Sequence, residues 1–192
     1  MTVIGKTQLS LLLLAGGQGS RLGGRDKGLM AWQGRPIAAH LVAMIRPLVG
    51  EVIISCNRNH SEYQRWADQL VSDQNAEYPG PLAGILSGLN ECKSSHLLVV
   101  PCDLPQLDQA LLIQLLEQAA SQPTIPWLIK VGDAWQPLVS VIPQQRLPEL
   151  QCAWDQGQRS PLRWLLSQNH GVLTLPADDL RLHNANCLED WQ

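Results

Sequence analysis

The stretch 9–29, LSLLLLAGGQGSRLGGRDKGL, constrains the fold more than any other part of the chain. Leu11, Leu12, Leu13 and Leu14 make an apolar run about as long as one buried strand. The run breaks into a loop holding Gly16, Gly17, Gly19, Gly23 and Gly24, together with Arg21, Arg25 and Lys27. Glycines let backbone N–H groups come close to a ligand, and the cations supply charge for an anion. The pattern predicts a phosphate-gripping loop at the carboxyl end of the first strand of an α/β sheet. Two common forms of such a loop fail at specific positions. A dinucleotide fingerprint beginning at Gly17-x-Gly19 needs its third glycine where Leu22 stands. A P-loop beginning at Gly19 meets Gly24, but then Arg25-Asp26 instead of Lys-Ser/Thr.

The net charge of −3 hides an asymmetry. Residues 1–50 carry six Lys or Arg against one acid, a balance of +5, and residues 51–192 carry eight against sixteen, a balance of −8. Cations gathered around the glycine loop favour a local anion site over a broad nucleic-acid face. Five scattered cysteines without a C-x-x-C pair read as reduced thiols in a cytoplasmic protein. No apolar run approaches the ~20 residues of a membrane span. Lys6 followed by LSLLLLA has the outline of a short signal peptide. Its apolar core is at the lower limit, however, and cleavage after Ala15 would leave the glycine loop as a bare terminus; a buried strand is the preferred reading. At 192 residues, one domain spanning 1–192 is expected.

Beyond the loop, residues 28–32 read as a short extended piece and 33–35 as a turn. Pro36 suits the first position of a helix running to 48. Residues 51–55 (EVIIS) read as a second, central strand. Ser61 with Gln64 resembles a capping box for a short helix through 67, and 70–72 is a brief strand ending at Asp73. Helix 81–92, strand 96–100 and helix 107–121 follow. The alternation of strands and helices predicts a three-layer α/β fold with a mostly parallel central sheet. Strands 127–131 and 138–142 are expected to pair across Gly132-Asp133, followed by helices 147–156 and 160–168, strand 172–175, and a terminal helical turn at 187–191 capped by Asn186.

Asp103 lies just past a strand, between Pro101 and Pro105, which hold the backbone extended. Ligands of open α/β sheets bind outside the carboxyl ends of strands, so Asp103 and the glycine loop should converge there. A single carboxylate is a poor base for phosphate chemistry but a good Mg²⁺ ligand, because Mg²⁺ fills its octahedron with water and phosphate oxygens. Read without a ligand, Asp103 is a turn residue. Asp73 stands at another strand end and precedes Gly80-Pro81-Leu82-Ala83-Gly84. Glycines there would let a flat ligand lie on the backbone, and the carboxylate could accept from base N–H or ribose hydroxyl groups; a plain turn is the alternative. Asn184 and Asn186 are polar groups on a late loop, equally readable as turn and cap residues. The five histidines have no metal-ligand spacing.

Together these segments resemble the molybdenum cofactor guanylyltransferases. The resemblance rests on Leu14-Ala15-Gly16-Gly17, Arg21-Leu22-Gly23, Asp26-Lys27, Asp73, Tyr78–Gly84 as YPGPLAG, Pro101–Pro105 as PCDLP, and Asn184-Ala185-Asn186, in that order. It implies a Rossmann-like nucleotidyltransferase fold that transfers GMP from Mg-GTP to molybdopterin, with or without molybdenum, and releases pyrophosphate. Matched positions would put Leu14, Ala15, Gly16, Gly17, Gly80 and Asp73 on the nucleotide and Lys27 on its phosphates. Asp103 would hold Mg²⁺, with Arg21 and Lys27 stabilising charge during transfer. Asn184 and Asn186 would lie towards the pterin or the phosphates. The family often has Asn at the end of the second strand, where this chain has Ser55, which lacks the amide donor.

The implied partners are GTP, molybdopterin, and the proteins that deliver molybdopterin or receive the finished cofactor. No nucleic acid or membrane is expected, and the chain should be a monomer or weak oligomer. Two rivals stay open. One is a sibling using CTP or another acceptor phosphate, although the Ala15-Gly16-Gly17 tripeptide resembles the guanine-using enzymes more. The other is a non-catalytic nucleotide-binding protein that hands cofactor on.

Overall fold

A computed structural model describes residues 4–17, 24–72 and 80–185. The expected alternation is present and organises one seven-stranded sheet. Its first strand, β1 (Leu9–Leu14), pairs in parallel with β4 (Glu51–Ser55) on one side and β6 (His96–Pro101) on the other, with Leu12 opposite Ile53 and Val99. The order continues outward through β5 (Gln69–Val71) beyond β4, and through β8 (Ala134–Pro143), β7 (Trp127–Val131) and β9 (Gly171–Leu175) beyond β6. Strand β8 alone runs against its neighbours. A separate two-stranded hairpin, β2 (Ala31–Trp32) with β3 (Arg35–Pro36), turns on Gln33 and Gly34, both at positive φ.

The unbroken leucines of β1 are explained by burial on both faces, as in parallel sheets covered by helices on each side. Leu9, Leu11 and Leu13 pack with helices α1 (Ile37–Ile45) and α4 (Gln109–Ser121). Leu12 packs on the other face, in the cluster formed with α3 (Pro81–Glu91), α5 (Leu147–Asp155) and α6 (Pro161–Ser167). No helix among the described residues is long and apolar enough to cross a membrane.

The structure corrects three local expectations. Pro36 is the cap before α1 and not its first residue, and the helix ends at Ile45 in a 3₁₀ turn over Arg46–Leu48. Helix α2 is only His60–Tyr63. Its cap is Asn59, in the left-handed region at φ 55°, so the Ser61–Gln64 capping box does not form. Strand β8 begins four residues early, at Ala134, with a register break. Leu128 pairs with Ser140 but Ile129 pairs with Gln136, and Pro137, which has no N–H to give a ladder, falls inside the break. The expected turn of helix at 187–191 lies outside the described residues.

Helix α3 sits unusually deep on the sheet because two glycines four residues apart face it. A Cβ at Gly84 would come within 2.9 Å of Leu14 Cδ2 and of Ser55 Oγ. At Gly88 it would come within 2.6 Å of Leu12 Cδ2. Leu12 is fully buried and has nowhere to move. Overpacking costs about 1–3 kcal/mol, only partly offset by the ~1 kcal/mol that alanine gains over glycine in a helix. Gly88→Ala is therefore expected to lower the urea midpoint, with a net loss of about 1 kcal/mol and an unchanged m-value.

Candidate active site

The carboxyl end of β1 is tied on both sides before the glycine loop begins. Ala15 N–H donates to the Ser55 carbonyl at 2.8 Å, and Cys102 N–H donates to the Leu14 carbonyl at 3.1 Å. These bonds fix Leu14, Ala15 and Gly16 between the ends of β4 and β6. Ser55 is buried beneath Gly84, a position that a longer side chain would contest.

Three consecutive polar residues after β4 then grip the loop, two by its carbonyls and one by the Asp26 carboxylate. Asn57 Nδ2 lies 3.5 Å from the Gly16 carbonyl, at the long limit of a hydrogen bond. The Arg58 guanidinium donates to the Gly24 carbonyl at 2.7 Å and reaches the Gly17 carbonyl at 3.5 Å. Asn59 Nδ2 donates to Asp26 Oδ2 at 2.8 Å. Asp26 Oδ1 accepts from Tyr63 O–H at 2.6 Å and from Gly28 N–H at 3.1 Å, capping a single 3₁₀ turn, Lys27–Leu29.

From that turn Lys27 reaches across the strand ends. Its Nζ meets Asp103 Oδ2 at 2.8 Å, with both side chains about one-fifth exposed. The Asp103 carbonyl in turn accepts from Ala185 N–H at 2.9 Å, which draws the segment holding Asn184 against the end of β6. On the opposite side, Gly80 caps α3 at φ +93° with Pro81 as the first helical residue. Because Gly84 rests on Leu14 and Ser55, Gly80 stands one turn further out, beyond the strand ends.

The floor beneath these charged groups is buried. Cys56 and Tyr63 are fully enclosed, and Ala15 and Cys102 nearly so. Burial, reinforced by the Asp26 charge, pushes the Cys56 thiol up to about 11. Burial, with the Asp103 and Asp26 charges added, raises Cys102 further. Burial also pushes the Tyr63 phenol well above its ordinary range, so it stays a neutral donor.

The structure thus brings Leu14, Ala15, Gly16, Gly17, Lys27, Gly80, Asp103 and Asn184 to the carboxyl side of the sheet. Arg21, Asp73 and Asn186 lie outside the described residues. One expectation changes: Gly84 faces the sheet and serves helix packing, so it offers no backbone to a ligand. The polar set Asp26, Asn57, Arg58, Asn59 and Tyr63 was not singled out by sequence as part of the site. Its one visible signal is Asn-Arg-Asn one residue past a buried strand, where a sheet edge usually holds ligands.

Among the described residues no group of three or more His, Cys, Asp or Glu could hold a metal. A cation held at Asp103 would rest, among the described residues, on that carboxylate and on what a ligand brings. Such a donor set suits Mg²⁺, which keeps several waters and takes phosphate oxygens, and does not suit Zn²⁺, which wants three or four N or S ligands.

Comparison with known proteins agrees with this fold. Residues 11–178 match the MobA-like NTP transferase domain. A molybdenum cofactor guanylyltransferase of Pseudomonas aeruginosa (strain LESB58) is 50% identical over 180 residues, 94% of this chain and 91% of that protein. One from Pseudomonas fluorescens (strain SBW25) is 46% identical over 177 residues, 92% and 88% of the two chains. The crystal structure of molybdopterin-guanine dinucleotide biosynthesis protein A from Archaeoglobus fulgidus has the same fold. Its TM-score is 0.74 at 20% identity, over 95% of this chain and 94% of that one. The 2-C-methyl-D-erythritol 4-phosphate cytidylyltransferase of Thermus thermophilus also shares the fold, with TM-score 0.71 at 15% identity and 100% and 96% coverage.

Cys152 is exposed, whereas Cys56, Cys92 and Cys102 are buried. Since the thiolate is the reactive form, a disulfide reagent at pH 8 is expected to modify Cys152 first among these four. Cys56 and Cys102 should react only on unfolding. Peptide mapping by mass spectrometry after a short pulse reads the order, and rapid labelling of Cys56 would contradict the enclosed floor.

Proposed function

The chain belongs to the family of MobA-like NTP transferases, and from that premise we propose its reaction and the part each residue plays in it. It is a nucleotidyltransferase. It transfers GMP from Mg-GTP to molybdopterin, forming the guanine dinucleotide form of the molybdenum cofactor and releasing pyrophosphate. The single observation that carries the assignment of roles is the meeting of Lys27 and Asp103 at 2.8 Å across the end of β1. A cation donor and a lone carboxylate, both at the mouth of a glycine loop, are what a metal-nucleotide triphosphate needs.

In this reading a phosphate oxygen of molybdopterin attacks the α-phosphorus of GTP. One P–O bond forms, the α–β bridge bond breaks, and pyrophosphate takes the electron pair. A phosphate monoester is already largely ionised at pH 7, so no side chain need act as general base. The chain's task is positioning and charge. Backbone N–H groups of Gly16 and Gly17 would face the phosphates, since side chains after β4 engage the carbonyls of those two residues; Leu14 and Ala15, whose backbone is tied to the neighbouring strand ends, would line the nucleotide. Lys27 and Arg21 would neutralise charge building on the departing pyrophosphate. Asp103 would hold Mg²⁺, which when bound supplies positive charge to the phosphate oxygens. Asp73 and Gly80 would contact the guanine nucleoside, and Asn184 and Asn186 the pterin or its phosphate.

The same reading takes residues 1–192 as one nucleotidyltransferase domain, supported by a sheet that draws strands from Leu9 to Leu175. The free thiols support a reducing, cytoplasmic setting.

Pyrophosphate release with molybdopterin as acceptor tests the assignment, with GTP and CTP supplied in competition. GTP should be consumed in strong preference; preference for CTP would move the chain to the cytidylyl branch, and no release with either would leave a binding protein. Lys27→Ala is expected to lower turnover on the order of 10²-fold, the scale of one preorganised charge stabiliser. Asp103→Ala should abolish Mg²⁺-dependent turnover while circular dichroism shows the fold intact. Turnover that keeps its Mg²⁺ dependence in that variant would exclude Asp103 as the ligand.

A further inference from the structure

We propose that Tyr63 and Asp26 form a brace that positions Lys27 for the transfer, so that Tyr63 acts on the reaction without touching substrate. The inference rests on the reading in which Lys27 meets the nucleotide phosphates. It starts from a carboxylate that function has not absorbed. The Asp26 side chain is only 6% exposed and accepts from the fully buried Tyr63. A buried charge is costly unless donors surround it. Here they do: Tyr63 O–H at 2.6 Å, Asn59 Nδ2 at 2.8 Å and Gly28 N–H at 3.1 Å, with Arg58 Nε 3.8 Å from Oδ2.

Capping the 3₁₀ turn requires only the bond from Gly28 N–H, and Ser or Asn could accept it. The other donors belong to a single stretch, Arg58 to Tyr63, at the far end of β4. They join the backbone on the N-terminal side of Lys27 to an element that stands across β1 from Asp103. Two details show that this joint is closely fitted. Asn59 takes the left-handed conformation, φ 55°, and its amide reaches Asp26. A Cβ at Gly28 would come within 2.3 Å of Tyr63 Oη, so the contact leaves no room for any side chain there. Tyr63 is fully buried and kept neutral by that burial, so it remains a donor across the working pH range.

A flexible lysine on a free loop would sample many rotamers and lose much of its value as a charge stabiliser. Anchoring the residue immediately before it restricts where Nζ can reach. The brace therefore predicts a loss in the chemical step and not in stability alone.

Tyr63→Phe removes only the hydroxyl and retains the ring that packs on Trp66. Losing one hydrogen bond to a charged group is expected to reduce kcat about tenfold, with a smaller change in KM for GTP. In a Lys27→Ala background the same substitution should add nothing further, because Tyr63 acts through Lys27. Gly28→Ala, which displaces Tyr63 Oη but retains every partner, should reproduce the kcat loss. Hydrogen exchange gives a readout independent of turnover: the Gly28 amide should exchange faster in Tyr63→Phe while core amides such as Leu12 stay protected. Unchanged Gly28 exchange overturns the brace. So do additive losses in the double variant, or a lower melting temperature with kcat preserved, which would mark a purely structural contact. If the unaltered protein turned over CTP instead of GTP, the functional reading would fall and the exchange comparison would still decide the brace.

Discussion

Everything at the carboxyl edge of the sheet depends on an ion pair that no local sequence signal links. Lys27 and Asp103 are 76 residues apart and meet at 2.8 Å. The pair exists because β1 and β6 are adjacent and parallel, so their loops leave the sheet side by side. It also requires the loop after β1 to double back, and the bonds on Asp26 hold that return. Neither side chain is deeply buried, which leaves both within reach of a ligand. A pair locked in a dry interior would be hard to exchange for phosphate and metal contacts.

The packing of α3 supports the same edge from the opposite side. Glycines at 84 and 88 let the helix approach β1 and β4 at the level of Leu12, Leu14 and Ser55. Its start at Gly80 therefore stands close above the strand ends, where the helix N-terminus adds positive potential. Fold stability and site geometry are thus set by the same contacts. The sheet could be covered by a larger-faced helix, but that helix would begin farther from the loop.

Most of the fold was legible because its signals are local. Runs such as 11–14, 52–54 and 97–100 are continuous and apolar, and each fits a strand buried on both faces. The glycine loop and Asp103 were legible for a related reason: an abrupt change from apolar strand to glycine or proline marks the carboxyl edge. The misread features have tertiary causes. Ser61 carries the capping signature, but Asn59 takes the cap position while its amide serves Asp26, 33 residues away. The Tyr63–Asp26 bond spans 37 residues with no periodic pattern to announce it. Gly84 was read as room for a ligand because composition cannot tell which side of a helix a glycine faces.

The enclosed floor explains why so few charged residues suffice. Ala15, Cys56, Cys102 and Tyr63 form a buried surface beneath Lys27, Asp103 and Asp26. Burial disfavours charge there and pushes both thiols up. Fields from the cations above are correspondingly less screened than in open solvent. Charge building on a departing pyrophosphate would feel Lys27 strongly, and equally strongly its displacement. On the proposed reading, a neutral hydroxyl on Tyr63, bonded to the residue before Lys27, would therefore matter to the rate: where screening is weak, the position of one ammonium group would set much of the stabilisation available to the transition state.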